Sequence, residues 1–130
     1  MGSSFLGREK MKKTIETSAG ALTLECNAAT PFIVKRLCSF DMLKYFTETK
    51  IDDGLSLDQI ERFEMIIYVM QCQAIKSTRE VLNETMDEFP EWLACYSIQE
   101  MTSEIIPEGI NLWVTSEQTS TRAKNPEGQQ

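Results

Sequence analysis

One segment constrains the fold of this chain more than any other. Ser56 and Gln59 form an S-x-x-Q capping box, and from there Ile60, Phe63, Ile67, Met70 and Ala74 recur at spacings of 3, 4, 3 and 4. That is one face of an α-helix reaching to about Ser77. Asp58, Glu61 and Glu64 load its first turns, where carboxylates suit the positive end of the helix dipole. The middle reads Met65-Ile66-Ile67-Tyr68-Val69-Met70, six apolar residues in a row. A helix apolar nearly all round either runs through the centre of a core or has a side that a partner covers. Central burial is the stronger expectation of the two.

The rest of the chain arranges itself around that helix. Ile15 and Thr17, then Leu22, Leu24 and Cys26, alternate at period two around Ser18-Ala19-Gly20, which predicts a small β-hairpin. Two strands alone are marginal, so the hairpin must lean on helices. Thr30-Pro31 reads as a hydroxyl cap followed by proline in a first turn, and Phe32, Ile33, Leu37 and Phe40 form the stripe that follows. Asp41 caps a second short helix with Met42, Leu43, Tyr45 and Phe46, and Ile51 to Gly54 forms a loop. Beyond the long helix, Thr78 or Asn83 starts a further helical stretch. Asp87 is the expected cap of another, with Pro90 in its first turn and Phe89, Trp92, Leu93 and Tyr96 on one stripe. Pro107 is expected to break the chain after Ile105-Ile106, leaving a last short helix with Ile110, Leu112, Trp113 and Val114. The expected fold is mainly α: an N-terminal β-hairpin followed by about five helices in one compact domain.

Charge draws the boundaries of that domain. Residues 1–13 hold four basic side chains against Glu9, a net of +3. Residues 14–116 hold 7 basic and 17 acidic residues, a net of −10, and 117–130 are polar and balanced. The expectation is a flexible stretch over 1–13, partly vector-like at Met1-Gly2-Ser3-Ser4, then a helical domain over 14–116 and a flexible polar tail. A chain of 130 residues with 42% hydrophobic side chains is long enough to bury roughly two-thirds of its unfolded surface. No stretch approaches the roughly 20 apolar residues of a membrane span, and no signal-peptide h-region precedes the domain.

Several function classes are excluded by what the chain lacks or how it is charged. It has no histidine, so His-based triads and Cys/His zinc sites are out. An overall net charge of −7 argues against a general nucleic-acid binder. Asp52-Asp53 and Asp58 do not make an EF-hand loop, and Glu61 with Glu64 reads as solvated helix surface rather than a di-metal site. Neither a glycine-rich phosphate loop nor a G-x-S-x-G elbow is present. Cys26, Cys38, Cys72 and Cys95 form no C-x-x-C pair and read as reduced, partly buried thiols of a cytosolic protein. The expectation is a protein without enzymatic activity, metal or cofactor. Trp92 and Trp113 are possible recognition anchors by residue type, although helical spacing favours Trp92 as core.

The order of segments resembles a known family. Ala28-Ala29-Thr30-Pro31 followed by Phe40-Asp41-Met42-Leu43 is similar to an A-x-T-P … F/G-x-D-hydrophobic signature. The apolar helix with Tyr68-Val69-Met70 and Gln73-Ala74 follows, then Glu88-Phe89-Pro90-Glu91-Trp92-Leu93, then Glu104-Ile105-Ile106 and Leu112-Trp113 before a polar tail. Together, over about residues 14–125, these resemble the tail assembly chaperones of long-tailed bacteriophages and prophages of Gram-positive bacteria. The sequence departs from that pattern at Ser39-Phe40, where the family often carries Phe-Gly, and its terminal basic cluster is reduced to Arg122 and Lys124.

The resemblance implies a helical protein of the bacterial host's cytoplasm, absent from the finished virion. It would bind the long tape measure protein non-covalently, keep it soluble and assist polymerisation of tail-tube subunits. A frameshifted extension, read at a slippery run encoding Ala123-Lys124-Asn125, would add contact with the tail-tube protein; a Lys124 codon other than AAA excludes it. Client contacts are expected from Ile66, Tyr68 and Val69, or from the stripe of Phe89 and Trp92. A small acidic regulator or DNA mimic that blocks a basic protein partner is the alternative, and a structural tail component is the third reading.

Overall fold

The computed structural model describes residues 11–48 and 56–116. The expected loop at 51–54, most of the N-terminal stretch, and the polar tail with its Ala123-Lys124-Asn125 run lie outside the described residues. Strand β1 (Lys12–Thr17) pairs antiparallel with β2 (Gly20–Glu25), in a register that sets Ile15 opposite Leu22 and Thr17 opposite Gly20. That register leaves Ser18-Ala19 as a two-residue turn, and Gly20 leaves it at φ +110, a backbone conformation side chains rarely tolerate. Ile15, Leu22, Leu24 and Cys26 face inward as the alternation requires. The strand starts at Lys12, just inside the stretch expected to precede the domain.

Helix α1 (Thr30–Cys38) begins one residue earlier than its hydroxyl suggests. Ala29 occupies the cap position and makes no side-chain cap bond; Thr30 is the first helical residue, fully buried. Its hydroxyl goes elsewhere. It donates to Gln73 Oε1 at 2.6 Å and accepts from the Asn27 backbone at 2.9 Å, while Gln73 Nε2 donates to Asn27 Oδ1 at 3.2 Å. Asn27 Oδ1 also accepts from Ala29 N at 2.8 Å, closing the turn into the helix. A buried polar triad of this kind is tolerable only when its members satisfy one another, as these do. In α2 (Met42–Glu48) the expected cap is present: Asp41 Oδ1 accepts from Leu43 N and Lys44 N.

Helix α3 (Leu57–Ile75) is the long central helix, opened by the Ser56–Gln59 capping box. It packs against β2, α1, α4, α5 and the π-helical turn Met101–Ile105. Phe63, Ile66, Ile67, Val69 and Met70 are all at most 1% exposed. Five of the six apolar residues in the run, Ile66 to Met70, are therefore buried in the core, and Met65 is half-buried beside them. Glu64 corrects an expectation, because it is only 6% exposed rather than solvated.

Two short helices follow. Helix α4 (Thr78–Leu82) starts at Thr78, one of the two expected starts, and Ser77 caps it through a second capping box with Glu80. Helix α5 (Phe89–Leu93) has Pro90 in its first turn as expected, but Glu88 rather than Asp87 stands at the cap, without a side-chain bond. The last element, α6, starts as a single turn at Ile98–Glu100, opens into the π-helical turn and returns to α over 106–116. Pro107 does not break it. A proline ring collides with the carbonyl four residues back, and the wider π turn lies at that place, so the helix passes through. Gly109 permits close approach to α3, since a Cβ there would overlap Ile67 Cδ1.

The result is a mainly helical protein, with an antiparallel hairpin followed by six helical segments among the described residues, in one compact domain. Among the described residues, no helix is long and apolar enough to cross a membrane.

Candidate functional site

The five expected contact residues come together, although not as an open patch. Ile66 and Val69 are enclosed in the core; Tyr68 is 5% and Phe89 8% exposed, and Trp92 is half-buried. The two alternatives for client contact meet at Tyr68. Tyr68 on α3 meets Phe89 at 5.5 Å and Trp92 at 5.3 Å on α5; Phe89 and Trp92 stack at 6.1 Å, and Tyr96 meets the Trp92 ring edge-on at 5.5 Å. Such rings hold α5, only five residues long, against α3 by side-chain contact, because a helix of that length has almost no stability of its own. Trp113, the other tryptophan, is buried beside Phe46 on the opposite part of the core.

Where this cluster reaches the surface, α3 and α5 leave an open groove of about 540 Å³. Tyr68, Ile75 and Trp92 supply its apolar lining. Ile75, on the last turn of α3, is 61% exposed. Glu84, Glu88 and Glu91 stand at the edge with Lys76. Lys76 is already engaged: its ammonium meets Glu84 Oε2 at 2.5 Å, which holds the lysine more strongly protonated. Glu88 and Glu91 are exposed and form no ion pair among the described residues. Trp92 Nε1 is shut away from solvent and has no hydrogen-bond partner among the described residues.

Ile75 and Glu84 were not singled out by sequence reasoning, and Glu88 and Glu91 only as members of the Glu88–Leu93 motif, yet one signal pointed to the glutamates. From Glu80 to Thr121 the chain contains no lysine or arginine and nine carboxylates. The last third of the domain thus carries charge of one sign, whatever the overall net charge. A second groove, about 530 Å³, follows α6 along Thr102, Ile106, Ile110 and Val114.

Among the described residues no group of three or more cysteines or carboxylates is gathered as a metal would require. All four cysteines are free. Burial pushes the Cys38 thiol up to about 12 and Cys26 up to about 11, and also raises Cys72. These three stay protonated and poorly nucleophilic. Cys38 Sγ instead donates to Met86 Sδ at 3.9 Å, a packing contact. Cys95 departs from the expectation of partial burial, being exposed on the turn after α5. The groove offers apolar area and a negative border.

Compared with protein-family models, with curated proteins and with solved structures, the chain finds no match.

Proposed function

We propose that this protein is a phage tail assembly chaperone. It works in the cytoplasm of the bacterial host, binds the tape measure protein without covalent chemistry or cofactor, and keeps that client soluble while tail-tube subunits polymerise round it. The finished virion lacks it, and a frameshifted longer form carries contact to the tail-tube protein. The observation that carries this reading is the ordered series of family-like motifs from Ala28-Ala29-Thr30-Pro31 to Leu112-Trp113. Its support is strengthened by what two of those motifs do together: Thr30 and Gln73, 43 residues apart, bond directly in the core. Motif residues with a shared structural task form a coherent set, not a scatter of common residue types.

The physical demands of the role agree with the molecule. A long helical apolar client aggregates unless its apolar face is covered, and a holdase covers it with apolar grooves inside a charged exterior. A core net of −10 and the groove between α3 and α5 meet both demands. Co-expression with the tape measure protein of the same gene neighbourhood, followed by pull-down at low and high salt, tests the proposal. Soluble client recovered at both salts is the expected result; an insoluble, unbound client overturns it.

A second reading is favoured by the base-free stretch from Glu80 to Thr121. An acidic regulator that blocks a basic DNA-binding protein would use that surface, and its binding would collapse as salt rises. Purified virions containing the protein would instead favour a structural tail component.

A further inference from the structure

We infer that the groove between α3 and α5 is the docking site for a positively charged amphipathic helix of the tape measure protein, an inference that rests on the chaperone reading above. Three features of the groove select this occupant. The first is length. Tyr68, Cys72 and Ile75 lie at i, i+4 and i+7 on α3, so the lining stripe extends about 10 Å at the 1.5 Å rise of a helix. That is two turns, the span over which a docked amphipathic helix presents its i, i+3 or i+4, and i+7 anchors.

The second feature is exposed apolar area that the fold does not use. Ile75 is the last residue of α3 and leaves most of its side chain in solvent, while the core behind it is complete. With the edge of Trp92 it forms the walls of a cleft about 540 Å³ in volume, large enough for bulky aliphatic anchors and too open to enclose a small molecule.

The third is charge. Glu88 and Glu91 border the cleft and Glu84 completes the set, against a single lysine that Glu84 already occupies. A neutral or acidic helix would face uncompensated carboxylates on docking. A helix with Lys or Arg beside its apolar stripe would pair with them, and pairing at a rim sets orientation and partner choice more than affinity. Affinity would come from the anchors against Tyr68, Ile75 and Trp92.

The test uses the full chain in three forms: the natural sequence, Ile75→Asp, and the double variant Glu88→Lys with Glu91→Lys. All these side chains are exposed, so circular dichroism and melting temperature should remain close to those of the natural protein. Each form is co-expressed with the tape measure protein and the soluble client recovered by pull-down is measured. Ile75→Asp and the double variant should each recover less than about a tenth of the client that the natural chain recovers. In parallel, anisotropy of a labelled Leu/Lys amphipathic peptide and of its Leu/Glu counterpart reads the charge preference alone. The natural chain should bind the Lys peptide about tenfold more tightly, and the double variant should reverse that order.

Full client recovery by both variants overturns the groove while leaving the chaperone reading in place. Failure of the natural chain to recover any client overturns the chaperone reading, and with it the source of the helix. A natural chain that binds both peptides equally, or a double variant that still prefers the Lys peptide, overturns the charge assignment and the proposal.

Discussion

Helix α3 carries two aromatic clusters, one at Phe63 and one at Tyr68, and the two are built differently. Near its start, Phe63 meets Tyr45 at 5.1 Å and Phe46 at 5.5 Å, Phe46 stacks on Trp113 at 6.2 Å, and Phe40 meets Tyr45 at 5.8 Å. Polar requirements there are met by the chain. The Tyr45 hydroxyl donates to the Gln59 carbonyl at 2.8 Å, and the Arg62 guanidinium lies over Phe40 at 5.4 Å and Tyr45 at 5.8 Å. In the cluster of Tyr68, Phe89, Trp92 and Tyr96 the two hydroxyls find partners in Cys72 and Thr17, but among the described residues Trp92 Nε1 has no acceptor, and Glu88 and Glu91 beside the rings have no ion-pair partner. The same residue types thus finish a core in one place and leave two chemical requirements open in the other. A docked helix with basic side chains, as inferred above, would pair with the carboxylates and would leave the buried indole N–H as it is.

The comparison is broken most completely by a change to the helix both clusters share. Ile66→Asp places a carboxylate with no partner in a site 1% exposed. Burial of an unpaired charge costs several kcal/mol against a total stability of about 5–15 kcal/mol. The expected outcome is insoluble or non-cooperatively unfolding protein; a folded variant that had only lost its client would place Ile66 on the binding surface instead. Truncating one ring in each cluster sharpens the contrast. Phe63→Ala, at a residue 1% exposed, should cost about 3–5 kcal/mol in denaturant unfolding. Phe89→Ala, where the ring retains some solvent contact, should cost less, about 2–3 kcal/mol, and should loosen α5 without unfolding the first cluster. Equal losses would mean that the second cluster is as tightly integrated as the first.

Much of this was legible in the sequence, and the misses share a cause. The hairpin, the Ser56 capping box, the Asp41 cap and the long helix all rest on contacts within a few residues, which spacing reports directly. Thr30 was misjudged because a hydroxyl before proline looks like a cap, while its real partner, Gln73, is 43 residues away. Pro107 was misjudged because a π turn, invisible to a 3.6-residue period, absorbs it. Tyr68, Phe89 and Trp92 were identified as interesting residues on separate helices, but their meeting is a tertiary fact. The groove was hidden for another reason. Its floor belongs to a helix that reads as pure core, and its useful residue, Ile75, lies at the frayed end of the pattern.

Glu64 offers a pH-dependent probe of the helix between the clusters. Desolvation, reinforced by the neighbouring Glu61 charge, raises its pKa above the ordinary carboxylate value. An acid whose folded pKa is raised destabilises the fold when ionised, so the penalty is full above the folded pKa and absent below the unfolded one near 4.5. Glu64→Gln should therefore raise the melting temperature at neutral pH, and the advantage should vanish as pH falls below that value. Glu100 has the opposite sign. Its carboxylate accepts from Ser18 N and Oγ at 2.8 and 2.6 Å, which lowers its pKa, so its contribution is present at neutral pH and lost as pH falls through the folded value. Thermal melts of Glu64→Gln and Glu100→Gln across that range should diverge at neutral pH and converge in acid; parallel curves would contradict both assignments.

The smallest effect is the most telling about the open cluster. Trp92→Phe keeps a ring against Tyr68 and Phe89 and deletes the unpartnered N–H. An unsatisfied buried donor costs about 1–3 kcal/mol, and the smaller ring forfeits a similar amount of buried apolar area. The two changes oppose each other, so stability should move by less than about 1 kcal/mol in either direction. Client recovery should still fall, because the indole edge forms one wall of the groove. This separation of folding from binding is what distinguishes an unfinished cluster from a merely imperfect one. A loss of stability beyond about 2 kcal/mol would show instead that the N–H is bonded within the free protein. The second cluster would then be as complete as the first.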